Sequence, residues 1–204
     1  MPHLILIAGF SCSGKTTLAN SLARELGAAK ISLDDYYRPY DELTLAERKL
    51  INFDAPDSIE HELITDHLTR LLAGEVVHKP CYDFAEFARR TETEPIFAAD
   101  VIVVEGLFSL AWEDLVSLAG TRIYVDTPEA VCLARRLERD LVERGRGEVE
   151  SLSRYREHVR PNQERYILPT KQNANLLISG DQPAHQILEA AVRFTAERSR
   201  TFVL

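Results

Sequence analysis

A lysine that follows Gly-x-x-x-x-Gly and precedes Ser or Thr is spaced to hold a chain of phosphates, and Gly9 to Thr16, GFSCSGKT, fits that pattern at every fixed position. Glycines let the backbone approach the ligand closely, so that successive N–H groups point at its oxygens. Lys15 then reaches the terminal phosphates, and the Thr16 hydroxyl is placed for magnesium. Gly9, Ser11, Cys12, Ser13, Gly14, Lys15, Thr16 and Thr17 are the expected nucleotide-binding residues. The competing reading is a Gly/Ser-rich turn that only caps a helix. Other side chains with chemistry to offer are Asp34, Glu105 and Arg135, Arg136, Arg139, Arg144 and Arg146. A carboxylate facing the loop can hydrogen-bond an attacking hydroxyl and take its proton. A second acid beside Thr16 can hold magnesium directly or through water. Guanidinium groups can neutralise charge on a phosphoryl group in transfer.

These residues act together only if the chain positions them. Leu4-Ile5-Leu6-Ile7-Ala8 reads as a buried strand, and Leu18, Leu22 and Leu26 recur every fourth residue before Gly27, as in a helix. Strand, glycine loop and helix is the order that phosphate binding needs, because the helix directs its positive end at the anion. Lys30 to Leu33 reads as a second strand, which puts Asp34 at a strand carboxyl end, where ligands gather in open α/β sheets. Asp35 points away from it if the strand alternation persists. A turn-capping aspartate is the plainer reading of Asp34.

Residues 38–57 read as a long loop with a short helix near Leu43 to Lys49, and Ser58 to Ala73 as a helix ended by Gly74. Glu75 to Tyr82 reads as a strand pair or ribbon around Pro80, followed by an Arg-bearing loop to Pro95. Asp100 to Val104 is an apolar run expected of a central parallel strand, ending at Glu105. Arg122 to Asp126 is a further strand, and Pro128 opens a helix to about Glu143. Helical segments resume around Ser151 to Val159. Leu176 to Gly180 reads as the last strand and Pro183 to Arg198 as the closing helix. This alternation predicts a parallel sheet with helices on both faces, in one domain over residues 1–204.

Arg136 and Arg139 share a helix face, and Arg144-Gly145-Arg146-Gly147 supplies hinge residues. This predicts a mobile arginine lid at about 140–155. The alternative is a solvated face paired with Glu138, Asp140 and Glu143. Asn52-Phe53-Asp54 and Pro80-Cys81-Tyr82-Asp83-Phe84 place aromatic rings and carboxylates in loops. They suit either stacking on a base and holding ribose hydroxyls, or packing back onto the sheet.

The formal net charge is −8. Nucleic-acid polymers and acidic membranes are therefore not expected as partners, whereas a small phosphorylated ligand needs only a local cluster of cations. Cys12, Cys81 and Cys132 show no paired spacing and fit reduced thiols of a cytosolic protein. No signal peptide or membrane-length apolar run is present, so a soluble, cytoplasmic protein is expected.

The ordered series of the glycine loop, Ser32-Leu33-Asp34-Asp35-Tyr36-Tyr37, Asn52-Phe53-Asp54-Ala55-Pro56-Asp57, Pro80 to Phe84, Glu105-Gly106, Arg136 to Asp140 and Glu143 to Arg146 resembles the uridine–cytidine kinase family, to about Lys171. That family is related to phosphoribulokinase. The resemblance implies a P-loop NTPase three-layer α/β fold, with an acceptor-binding β-ribbon and loop insertion at about 36–95. It implies transfer of the γ-phosphate of ATP or GTP, with Mg2+, to the 5′-hydroxyl of a pyrimidine ribonucleoside. By the same resemblance Asp34 is the catalytic base, assisted by Lys15 and Arg139, and Tyr37 is a nearby site residue. Asp54 and Arg136 read the ribose, Tyr82 contacts the base, and Arg139, Arg144 and Arg146 serve the phosphates and lid. Thr16 and Glu105 hold the metal, and self-association follows from the likeness. Phe87 stands where the family has a base-reading histidine, and Arg154 where it often has glutamine. Phenylalanine cannot hydrogen-bond, so one base contact is missing. The alternative acceptor is another riboside or small alcohol, such as nicotinamide riboside or a phosphosugar; a nucleotide-dependent switch is the third reading.

Overall fold

The computed structural model describes residues 2–199. Its first strand, β1 (His3–Gly9), is buried along its whole length. Leu4, Leu6 and Ala8 enter one core while Ile5 and Ile7 enter another. A strand apolar on both faces belongs inside a sheet covered on both sides. After α1 (Lys15–Leu26) come β2 (Ala29–Ser32), a 3-10 turn (Leu33–Tyr36), α2 (Leu45–Arg48), a second 3-10 turn (Pro56–Ser58) and α3 (His61–Leu72). The ribbon of β3 (Val77–Asp83) and β4 (Ala88–Ile96) follows, then β5 (Val101–Glu105), α4 (Glu113–Leu118), β6 (Thr121–Asp126) and α5 (Glu129–Arg144). The helix α6 (Glu148–Arg154) continues through a π-type turn (Tyr155–Val159), α7 (Arg160–Asn162), a second π-type turn (Gln163–Ile167) and a 3-10 segment (Leu168–Asn173). The strand β7 (Leu176–Ser179) and the helix α8 (Ala184–Arg198) close the described chain.

Five strands form one parallel sheet in the order β2-β5-β1-β6-β7. Leu18, Ala19 and Leu22 of α1 and Ala191 of α8 cover one face. Ile64, Leu68, Leu71 and Leu72 of α3, with Leu115 of α4 and Ile167, cover the other. This is the expected three-layer α/β fold. Among the described residues, no helix is long and apolar enough to cross a membrane.

Several local expectations need correction. Residues 88–95 are not a loop but most of β4, antiparallel to β3. Arg90 to Pro95 are exposed without alternation, so no pattern marks this strand; its partner β3 defines it. The third helix begins at His61 rather than Ser58, because Pro56–Ser58 forms a 3-10 turn and Ile59 bridges to Tyr37. The strand alternation does not persist to Asp35, since Leu33–Tyr36 is a 3-10 turn. The short α4 carries no strong period and was not expected.

Candidate active site

The phosphate loop connects β1 to α1. Gly14, with φ 102°, is the residue before the helix, a left-handed conformation that glycine tolerates best. Cys12 is also left-handed at φ 64°, unusual for a side chain and in keeping with a loop bent around a ligand. The loop is pinned from outside. Thr127 Oγ1 donates to Ser13 O at 2.8 Å, and Arg135 reaches Cys12 O at 3.4 Å and Gly180 O at 3.1 Å. Arg135 and the segment after β7 thus hold the loop, although the sequence marks neither for that task. Ser13 Oγ is buried without a hydrogen-bond partner.

Beneath the start of α1, Glu105 closes β5 and is 3% exposed. Such an acid needs partners. Thr16 Oγ1 donates to its Oε2 at 3.1 Å and Ser32 Oγ to its Oε1 at 3.2 Å. This places a hydroxyl and a carboxylate together at the mouth of the loop, both hard oxygen donors of the type magnesium takes.

Asp34 lies in the 3-10 turn after β2, and its N–H donates to Ser32 Oγ at 3.4 Å. Its carboxyl pKa is raised from 3.8 to about 6, mainly by desolvation, then by the charges of Glu105, Asp35 and Asp54, against the pull of Lys15. The charges acting on Asp34 thus include Lys15 of the loop and Asp54. Asp35 turns elsewhere, to Lys79 at 2.8 Å.

One cleft of ≈ 1550 Å³ joins these parts. It is larger than the roughly 300–1,000 Å³ that a single small ligand usually occupies. Of the residues expected from sequence, Ser11, Cys12, Gly14, Lys15, Thr16, Thr17, Asp34, Tyr37, Asp54, Tyr82, Phe87, Arg136, Arg139, Arg144 and Arg146 line it. Gly9, Ser13 and Glu105 are not part of that lining, and Ser13 and Glu105 are buried. Phe53, Phe84, Lys49 and Arg154 also line the cleft, as does Gln182 after β7. Phe53 and Phe84 belong to the aromatic loop segments already noted in the sequence and Arg154 stands at an unusual position, whereas Lys49 and Gln182 carry no distinguishing signal.

Aromatic rings form one wall of the cleft. Tyr37 packs on Phe53 at 5.1 Å and on Tyr82 at 5.2 Å, and Phe53 on Phe87 at 5.7 Å. Tyr37 OH donates to Phe53 O at 3.3 Å, whereas Tyr82 OH is buried without a partner. Desolvation pushes the Tyr82 phenol up to about 12. Phe87 sits at φ 50° in the turn between β3 and β4, a turn that Asp83 caps by accepting from the N–H groups of Ala85 and Glu86. Asp54 is presented by a tight turn in which its N–H donates to Asn52 Oδ1 at 3.1 Å. Desolvation raises the Asp54 carboxyl, while Arg136, Arg144, Arg154 and His158 pull it back.

The arginines of α5 are organised by one acid. Asp140 is 1% exposed and meets Arg136 at 3.6 Å, Arg139 at 3.0 Å and Arg144 at 3.5 Å. Burial alone raises its carboxyl, but the Arg139 hydrogen bond and the three positive charges outweigh that and hold it below the usual range. Arg136 Nη1 also donates to Ser11 Oγ at 3.3 Å. Arg146 pairs loosely with Glu150 at 3.9 Å. Among the described ion pairs, Glu138 and Glu143 take no part; the counter-charge on these arginines comes from Asp140, inside the cluster, and leaves the guanidinium groups facing the cleft.

The site can therefore hold a polyphosphate, place a carboxylate beside it, and enclose both with arginines. The model of the phosphoribulokinase/uridine kinase family matches residues 4–184. The chain is 38% identical over 182 residues to proteins named uridine kinase from Shewanella sp. (strain ANA-3) and Shewanella oneidensis, covering 86% of this chain and 86% of each relative. Among solved structures, a Silicibacter sp. TM1040 kinase provisionally described as part of a fructose transport system shares the fold. It has a TM-score of 0.67 and 24% identity over 86% of this chain and 89% of its own. A possible uridine kinase from Bacillus stearothermophilus gives a TM-score of 0.52 and 20% identity, over 87% and 89%. With the nucleotide loop and the acid-and-arginine cleft on one scaffold, this chain belongs to the phosphoribulokinase/uridine kinase family and is a phosphotransferase of the kinase type.

Proposed function

We propose that the protein transfers the γ-phosphate of ATP or GTP to the 5′-hydroxyl of a ribonucleoside, with pyrimidine ribonucleosides the leading acceptors. One observation carries the reading: a single cleft contains the phosphate loop, Asp54 with Arg136, and Asp34 within electrostatic reach of both groups. A hydrolytic switch has no use for an acceptor pocket of that kind. The 38% identical relatives named uridine kinase support the same acceptor class.

In this reading the loop N–H groups and Lys15 hold the β- and γ-phosphates. Thr16 and Glu105 would hold magnesium, which would supply charge neutralisation to the phosphates. Asp54 accepts hydrogen bonds from the ribose diol, and Arg136, already fixed by Ser11 and Asp140, closes that side. Asp34, ionised above about pH 6, accepts the proton of the attacking hydroxyl. Arg139, Arg144 and Arg146 meet the phosphoryl oxygens as the lid comes down.

Phe87 favours a second reading of the acceptor. A ring that stacks without hydrogen-bonding discriminates far less than the roughly 10⁴-fold given by a bonded base edge. A wider range of ribosides, or another small alcohol, then competes with uridine.

The test is a panel of nucleosides, their 2′,3′-dideoxy analogues and small alcohols, incubated with ATP and magnesium and read by product mass. The expected products are nucleoside 5′-monophosphates, with the dideoxy analogues poor. Phosphorylation of the alcohols alone would establish the second reading; ATP hydrolysis with no phosphorylated acceptor would overturn both. Further expectations are that the enzyme works in the cytoplasm, as one domain, and without a nucleic-acid or membrane partner.

A further inference from the structure

The turn that carries Asp34 is gripped by the β3–β4 ribbon. Lys79 of β3 lies between Asp35 and Glu94, at 2.8 and 2.9 Å. Arg89 of β4 donates to the carbonyl of Tyr36 at 3.0 Å and pairs with Glu60 at the start of α3. Tyr82 of β3 packs against Tyr37 at 5.2 Å. Residues 35, 36 and 37, immediately after Asp34, are therefore each tied to the ribbon, and the same ribbon supplies Tyr82 and Phe87 to the cleft.

Two features show that these ties are built into the chain. In a regular strand Lys79 and Tyr82, three residues apart, face opposite sides. Here the register shifts between Pro80 and Tyr82, and both side chains are buried. A shift of this kind re-aims side chains at the expense of regular pairing. The second feature is the burial of Lys79, which is 8% exposed. Burial lowers its pKa, but the hydrogen bonds to Asp35 and Glu94 outweigh that and keep the ammonium charged. Part-buried and exposed ion pairs add little stability, because desolvation and solvent screening offset the attraction, so stability alone gives weak reason for burying the lysine here.

We propose that Lys79, seconded by Arg89, is a positioning residue that sets the placement of Asp34 by holding the 34–37 segment to the acceptor-binding ribbon. Lys79 touches neither substrate; it acts through Asp35. The inference rests on the proposed role of Asp34 as proton acceptor.

The test compares Lys79→Met, Lys79→Arg and Asp34→Asn in the full chain, each checked for folding by melting temperature and circular dichroism. Lys79→Met is expected to lower kcat tenfold or more with the KM for ATP unchanged, because displacing a reacting group by about 1 Å can cost on the order of 100-fold. Lys79→Arg, which can span the same two carboxylates, should recover most of the loss. A folded Lys79→Met with kcat within twofold of the parent overturns the inference, provided Asp34→Asn is inactive. If Asp34→Asn keeps its turnover, the role of Asp34 itself falls, and the inference with it. Should Lys79→Met fail to fold, Asp35→Leu removes the same tie from its other end and is read in the same way.

Discussion

Replacing Asp34 by asparagine should make the protein more stable and inactive at once. The carboxyl titrates at about 6 in the folded chain, against 3.8 when unperturbed. At 1.36 kcal/mol per pH unit, keeping it ionised in the fold costs up to about 3 kcal/mol at neutral pH. Asp34 is only half-buried and lines an open cleft, so water screens part of this, and about 2 kcal/mol is expected. Between pH 4 and 6 the native protein binds a proton on Asp34 that the unfolded chain has released. The parent therefore loses stability as pH rises through that window. Asparagine has no such loss. Its advantage should be full above pH 6, shrink as pH falls, and be nearly gone at pH 4. For a chain of this length, that is a rise in Tm of roughly 4–8 °C at pH 7.5. Turnover should fall at least ~100-fold, the usual minimum worth of a general base. Thermal melts at pH 7.5, 5 and 4, with product formation measured alongside, test both halves. An unchanged Tm at pH 7.5, or an equal gain at pH 4, would refute the electrostatic argument. Near-normal turnover would falsify the assignment of Asp34 as base.

Other changes probe the lid, the loop support and the acceptor wall. Asp140→Asn leaves the guanidinium groups of Arg136, Arg139 and Arg144 without their shared counter-charge. Because Arg139 and Arg144 reach solvent, the expected loss is about 2–3 kcal/mol, somewhat under the 3–5 typical of a fully buried pair. The Asp140 carboxyl is held below the usual range, so this stability is present above pH 4 and disappears as pH falls through the folded pKa; urea unfolding at pH 7 and pH 3 reads it directly. Gly180→Ala drives a methyl group into the Ser13 carbonyl and the Thr127 hydroxyl, which brace the phosphate loop. Calorimetric titration should show ATP binding at least tenfold weaker with the sheet intact. Phe87→His restores a hydrogen-bonding group to the aromatic wall and should raise the preference for uridine over other ribosides about tenfold in competition assays; an unchanged ranking would remove residue 87 from the base pocket.

What could be read from the sequence was local. The glycine loop is legible because phosphate binding needs fixed residue types at fixed spacing. The strands β1, β5 and β6 and the helices α1, α5 and α8 show themselves by apolar runs or helical periods, since each buries a defined face. Glu105 follows from β5, and Asp34 from the short second strand read at Lys30 to Leu33, as residues at strand carboxyl ends. The tertiary structure decided everything that depends on which elements meet. The polar strand β4 exists because β3 pairs with it, and no apolar pattern records that pairing. The direction of Asp35 came from a 3-10 turn and from Lys79, more than forty residues away in sequence. Glu138, Asp140 and Glu143 are equivalent as letters; only the packing of α5 buries Asp140 among the arginines and leaves the other two in solvent. Arg135 became a brace for the loop because parallel pairing brings the end of β7 beside the end of β6. Side-chain chemistry and short-range periodicity are written in the order of residues, whereas register, burial and shared counter-charges arise only when distant segments compete for the same space.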